Sequence, residues 1–320
     1  MSGGTHSQGV FSKLLIEPGT SPHTFDANSE RYEFLRENLR MHERIVGGGE
    51  MTGSRSRRHE RTRLGVPYIY GSILKWISPA ELDTLLIHML GNNQSPTDQF
   101  NLTESLPYCG ILLDRDEGVF QYNDNKVTRW ILRGTAPELN DQSAPELVTL
   151  ELFVIGSQEV GPNDSGAPSW PGSEPSLGTS AAYAPYVLSD TDSAVTIKGS
   201  ARAITEFVLV CDHRCYARYV NSLVPHSIIE RDRIIRARFR LPWNSTYSSL
   251  YATDLAGAAA SVVLTNGAFS TTWTFDRLQI ARNTPAADRG REEIGLILDG
   301  QVTDRSLDSN ELLVLNDATA

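Results

Sequence analysis

The side chains nearest to metal chemistry are Cys211, His213 and Cys215, which alternate in "LVCDHRCYA". Thiolate sulfur with imidazole is a donor set that zinc prefers. Residues two apart on an extended strand, however, stand about 6.6 Å apart, too far for neighbouring positions around one ion without a bulge or kink. No CxxC or HxxxH pair completes a tetrahedron. The pattern therefore reads as small residues and a hydrogen-bonded histidine on the inward face of a strand, and no metal is expected.

Carboxylates cluster at Asp114, Asp116 and Glu117 and again at Glu292 and Glu293. Glycosidic chemistry needs two carboxyl groups held across a cleft, whereas charged residues at strand ends are normally solvated turns. There is no G-x-S-x-G elbow, no G-x-x-x-x-G-K-[ST] loop and no strand followed by G-x-G-x-x-G and a helix. "VGGGEMTG" around Gly47 to Gly49 has no strong strand and helix to bracket it, so it reads as a loop rather than a phosphate cradle. These absences predict a chain that is not an enzyme and holds no cofactor.

The sharpest charge anomaly is Arg55, Arg57, Arg58, His59, Arg61 and Arg63, in a chain of 29 basic and 39 acidic residues with net charge −10. Arginine pairs with phosphate through two donors, but no aromatic residue interleaves here to stack on bases. Docking on an acidic surface of a neighbouring copy fits the remaining negative charge better, and a solvated loop stays open beside it. An average surface of this sign repels nucleic acid.

The elements that must position these residues are mostly strands. Phe207, Leu209, Cys211, His213, Cys215, Ala217 and Tyr219 share one face of an extended segment. Further strands are predicted at Ile111 to Arg115, Val119 to Tyr122, Lys126 to Leu132, Leu147 to Gly156, Ala194 to Lys198, Ile234 to Leu241, Ser261 to Thr265 and Thr271 to Ile280. One helix is clear: Ser78 caps it, Pro79 suits its first position, Glu81 completes a Ser-x-x-Glu box, and Leu82, Leu85, Leu86, Met89 and Leu90 form its apolar stripe up to Gly91. A weaker helix is predicted over Asn244 to Gly257.

At about 150 residues per domain, 320 residues suggest two domains. Gly, Pro and Ser crowd residues 161–184, which reads as a linker between them. The halves match in order: a charged segment (Tyr32 to Val46; Thr205 to Val220), an Arg-rich approach to a strand ending in Trp76 or Trp243, a helix, and β-rich segments ending at Gly156 or Gly300. The expected fold is mainly β, two tandem β-sandwich or barrel domains, each with one flanking α-helix. The odd cysteine count excludes a disulfide scaffold and suggests a reducing cytosol. No apolar run approaches a membrane span, and the N-terminus lacks the pattern of a secretion address, so a soluble chain is expected.

Taken in order, "YEFLRENL", "GGGEMTGSRSRRHERTRLG", "YGSILKWISPAELDTLLIHMLG" and "VTLELFVIG" resemble the first domain of tail tube (major tail) proteins of long-tailed bacteriophages. "APYVLSD", "VTIKG", "ITEFVLVCD", "RIIRARFRLPW", "YATDLAGAAASVVLTNG" and "IGLILDGQV" resemble the second, so the likeness spans about Phe25 to Thr303. The proline-rich linker and the Cys211/His213 pair depart from the family pattern. The resemblance divides the chain into an N-terminal arm (1–24), a tube-like domain (25–160), the linker (161–184), a second tube-like domain (185–305) and a tail (306–320).

The resemblance implies a structural subunit made in the host cytoplasm and located in the virion tail. Its strands would join those of neighbours into a ring, and rings would stack into a hollow tube. Two fused domains favour a trimer of pseudo-sixfold symmetry, with a hexamer as the alternative. The partners implied are further copies, the tape-measure protein and the tail-tip and terminator proteins. Genome DNA would pass without specific binding through an acidic lumen, with no membrane contact. Arg55, Arg57, Arg58, Arg61 and Arg63 would lie in the loop that contacts neighbouring subunits and rings. The alternatives are a tail terminator or baseplate hub of the same fold, or a carbohydrate-binding module.

Overall fold

The computed structural model describes residues 12–47, 62–94, 98–116, 118–136, 147–178, 180–188, 194–243, 257–281, 284, 295–303 and 311–317. The first half contains β1 (Lys13–Pro18), β2 (Glu30–Tyr32), β3 (Arg36–Glu37), β4 (Arg40–His42), β5 (Ile45–Gly47) and β6 (Thr62–Leu64). It continues with β7 (Tyr68–Trp76), α1 (Pro79–Leu90), β8 (Gly91–Gln94), β9 (Gln99–Leu102), β10 (Cys109–Asp114), β11 (Val119–Thr135), β12 (Thr149–Gly156) and β13 (Gln158–Val160). The second half contains β14 (Ala194–Ile197), β15 (Ser200–Arg202), β16 (Glu206–Asp212), β17 (Tyr216–Arg218), β18 (Ser227–Ile229) and β19 (Ile234–Pro242). It ends with β20 (Ala258–Asn266), β21 (Phe269–Ala281), β22 (Gly295–Thr303) and β23 (Leu312–Asp317). The fold is mainly β, as expected, and among the described residues every ladder is antiparallel.

The halves repeat one pairing scheme. In the first, β2 pairs β1, β1 pairs β10, β10 pairs β11, β11 pairs β12, β12 pairs β7, and β7 pairs β3 and β4. In the second the same chain of partners is β15, β14, β20, β21, β22, β19 and β16. The likeness extends to detail. β13 continues the β12 edge of β11 as β23 continues the β22 edge of β21. The β10–β11 and β20–β21 hairpins each slip register by one residue near their far ends, at Cys109/Ile111 and at Ala258/Ala260. Each half also inserts a two-stranded ribbon before its β7-type strand: β5–β6 in the first and β17–β18 in the second.

The sheet runs unbroken across residues 161–184. β16 adds to the free edge of β11, pairing Arg129 to Thr135 with Asp212 to Glu206, and β9 pairs β23. One buried cluster contains residues of both halves. α1 lies over this joint with Leu82, Leu85, Leu86, Met89 and Leu90 buried, and Asn316 Nδ2 on β23 donates to the Pro79 carbonyl at 2.9 Å. The segment 161–184, predicted as a linker, is a strap that touches both halves, Asn266 Nδ2 of the second donating to the Ala184 carbonyl at 2.8 Å. Glu174 binds Lys13 at 2.8 Å and Arg31 at 2.9 Å.

Three local expectations need correction or restriction. The strands predicted at Val119 to Tyr122 and Lys126 to Leu132 are one strand, β11, bent where Asp124 adopts φ +49° and the register shifts between Val127 and Arg129. Ser78 does not cap a backbone amide; its Oγ donates to Glu81 Oε2 at 2.6 Å, because Glu81 is the counter-ion of the buried Lys75. The second helix expected at Asn244 to Gly257 lies outside the described residues except for Gly257. Among the described residues no helix is long and apolar enough to cross a membrane.

Candidate assembly surface

Monomeric soluble proteins seldom expose contiguous apolar patches, so the exposed aliphatic side chains here identify a surface. The β5–β6 ribbon pairs Ile45 with Leu64 and Val46 with Arg63. Ile45 is 66% exposed and Leu64 63%. The Gly65 amide donates to the Arg44 carbonyl at 2.6 Å, and a Cβ at Gly65 would meet that same oxygen, so the ribbon base needs glycine. Exposed Tyr68 and Tyr70 continue the surface along β7, with His42 stacked on Tyr68 at 5.3 Å.

The equivalent ribbon of the second half reaches the same place. The loop from β17 to β18 exposes Val220, Leu223 and Val224, Leu223 being 67% exposed. Tyr219 Oη donates to the Pro67 carbonyl at 2.8 Å and ties this loop to the root of the first ribbon.

The second component is a sheet edge. β3 and β4 form the outer rim of β7, interrupted at Asn38 and Leu39, and a Cβ at Gly71 would collide with both. Arg115 holds this rim with a two-pronged bond to Glu37, both contacts at 2.9 Å, and a further bond to the Leu39 carbonyl at 2.6 Å. Tyr122 Oη donates to the same carbonyl at 3.0 Å. The counterpart of this rim in the second half, β16, is wedged between β19 and β11. Among the described residues, the outer edge of β3–β4 pairs with no strand, nor does the edge of β21 opposite β22 beyond Leu278.

The residues singled out by type fall as follows. Arg63 is exposed on β6; Arg55, Arg57, Arg58, His59 and Arg61 lie outside the described residues, as do Gly48, Gly49, Glu117, Glu292 and Glu293. Asp114 and Asp116 form the tip of the β10–β11 hairpin, Asp114 Oδ1 accepting the Asp116 amide at 3.1 Å. His213 is buried and its Nε2 donates to the Met89 carbonyl at 2.9 Å, with Cys211 Sγ 3.5 Å away. Arg214, at φ +49°, then turns the chain, so Cys215 leaves the face that Cys211 and His213 share. Burial pushes the Cys211 thiol up and takes Cys109 and Cys215 to about 12, which leaves all three protonated and poorly nucleophilic. Among the described residues no three His, Cys, Asp or Glu side chains are grouped to hold a metal.

A cleft of about 610 Å³ opens between β2, the end of β7 and the strap, lined by Phe34, Trp76, Leu177 and Tyr183. Its cations Lys13 and Arg31 are already paired with Glu174. Sequence reasoning missed the apolar ribbon tips, although Ile45-Val46 and Leu64 flank the polar Gly/Arg-rich segment closely enough to have signalled a hairpin. No protein-family model matches the chain, and no curated protein resembles it in sequence.

Proposed function

We propose that the chain is the repeating structural subunit of a bacteriophage tail tube, assembling head-to-tail into rings that stack around a channel for the viral genome. One observation carries the reading: the two halves repeat a single fold and are joined by adding β16 of the second to β11 of the first. The same joint can form again between copies, because the β3–β4 rim and the far end of β21 are its unused counterparts. A contact of unlike surfaces, repeated by rotation, closes a ring. With two repeats per chain, three chains make a ring of six units. Joining also protects the exposed edges that an all-β chain must cover. The exposed tips Ile45, Leu64 and Leu223 then serve contacts along the tube axis, together with the Arg55 to Arg63 segment, while the tape-measure and terminator proteins limit its length.

Negative-stain electron microscopy of the purified chain tests this directly. Stacked rings or tubes are expected. Single closed rings that never stack would replace the proposal with a terminator or hub, and a persistent monomer that melts higher with an oligosaccharide would replace it with a carbohydrate-binding module.

A further inference from the structure

The four central strands β11, β16, β19 and β22 bury alternate residues and turn the others outward. Three arginines stand near the middle of that outward face. In one row Arg133 faces Val208, which faces Arg238; in the next, Ile131 faces Val210, which faces Arg236. Arg129 and Arg240 flank them. The carboxylates of these strands stand across from three of the arginines: Glu206 faces Arg240, Asp212 faces Arg129 and Asp299 on β22 faces Arg238, which leaves Arg133 and Arg236 with no carboxylate opposite them on these strands. Five arginines against three carboxylates make this face positive in a chain of net charge −10. Arg133, Arg236 and Arg238 are exposed, and no carboxylate of the described residues forms an ion pair with them.

We infer that this face binds the phosphate backbone of double-stranded nucleic acid without reading its sequence. Arg236 and Arg238 stand about 6.6 Å apart along one strand, and Arg133 lies two strands away, about 10 Å across the sheet. Val208 and Val210 separate Arg133 from the two β19 arginines, and Asp299, across from Arg238, offsets that one charge in part without forming an ion pair among the described residues. Each group presents paired donors that fit phosphate oxygens. The outward positions of these strands carry no aromatic side chain, so bases have no stacking platform and the backbone is the ligand. Binding of this kind is weak, salt-sensitive and compatible with sliding. The inference goes beyond the tube proposal and holds for a single chain.

The test is fluorescence polarisation of a labelled random-sequence duplex of about 20 base pairs, titrated with the full chain across a salt series. The wild type should bind at low salt and lose affinity linearly on a log–log plot. Arg236→Ser/Arg238→Ser should reduce that slope by about two and weaken low-salt binding by tenfold or more, while Arg236→Lys/Arg238→Lys keeps the slope. Asp299→Asn should tighten binding, a gain that misfolding cannot produce. Absence of wild-type binding at low salt, or an unchanged slope in the serine variant, would overturn the inference. So would self-association that the serine variant abolishes while the duplex stays unbound, which would assign the face to an acidic patch on a second copy. Tubes in the microscope without duplex binding would sink this inference alone, and duplex binding without tubes would sink the tube proposal alone.

Discussion

Trp130 on β11 and Trp273 on β21 pack with ring centroids 5.4 Å apart and planes tilted by 48°. Both are fully buried, one from each half of the chain. The contact makes the two repeats one cooperative unit, because neither aromatic can lose its cover without opening the other half's core. Trp273→Ala should therefore cost about 3–5 kcal/mol. Differential scanning calorimetry should record a single transition for both wild type and variant; two transitions, only one of them shifted, would mean that the repeats unfold separately.

Histidine burial sets an acid limit. Burial brings His88 down to about 4, and it brings His213 to about 4 against the opposing pull of the Met89 carbonyl. Unfolded, each titrates near 6.5. A base whose folded value is depressed stabilises the fold fully above the unfolded value, and that contribution is lost as pH falls from 6.5 toward 4. The loss is about 3 kcal/mol for each residue. Denaturant midpoints measured between those pH values should fall, and His88→Leu should flatten the fall. An unchanged slope in that variant would exclude His88 as its source.

Lys75 gives a third case. Its ammonium is buried 2.6 Å from Glu81 Oε1 and sits 4.7 Å from the centre of the Tyr32 ring. Burial draws the ammonium below its ordinary value while Glu81 supports it. Glu81→Gln leaves a buried ammonium without its ion-pair partner and should cost about 3–5 kcal/mol, whereas Lys75→Met/Glu81→Gln removes both charges of the pair and should be neutral or stabilising. Chemical denaturation of the two variants would separate these outcomes, and equal losses would contradict the argument.

Local pattern was legible where one face is buried. The α1 stripe, the alternation from Phe207 to His213 and the β19 ladder are all placed where their periods predict. Pairing between distant strands was not: nothing in the local period of residues 129–135 tells that their partner is 206–212 rather than a neighbour in sequence. The ribbons escaped because strands of three residues are too short to show an alternation. Lys75 stands at an inward position of β7, and its counter-charge Glu81 could be assigned only once α1 was seen to follow that strand closely. The net charge of −10 misled most, since an average hides the positive face of the four central strands.

The ribbon tips separate folding from assembly. Ile45 and Leu64 face each other across the β5–β6 register yet bury little in the single chain, so Ile45→Ser/Leu64→Ser should change the unfolding free energy by no more than surface substitutions do, about 0.5 kcal/mol each. In the tube reading the same pair buries on a neighbouring copy, where each large aliphatic side chain contributes about 1.5–3 kcal/mol. Losing both should raise the critical concentration for polymerisation by two orders of magnitude or more. Sedimentation of wild-type and variant chains over a concentration series measures it. Arg57→Ser/Arg58→Ser/Arg61→Ser, in the segment between the two ribbon strands, should also impair polymerisation, more strongly at low than at high salt, because screening weakens a charged contact and leaves an apolar one. Identical sedimentation of all three proteins would remove the ribbon from the assembly surface.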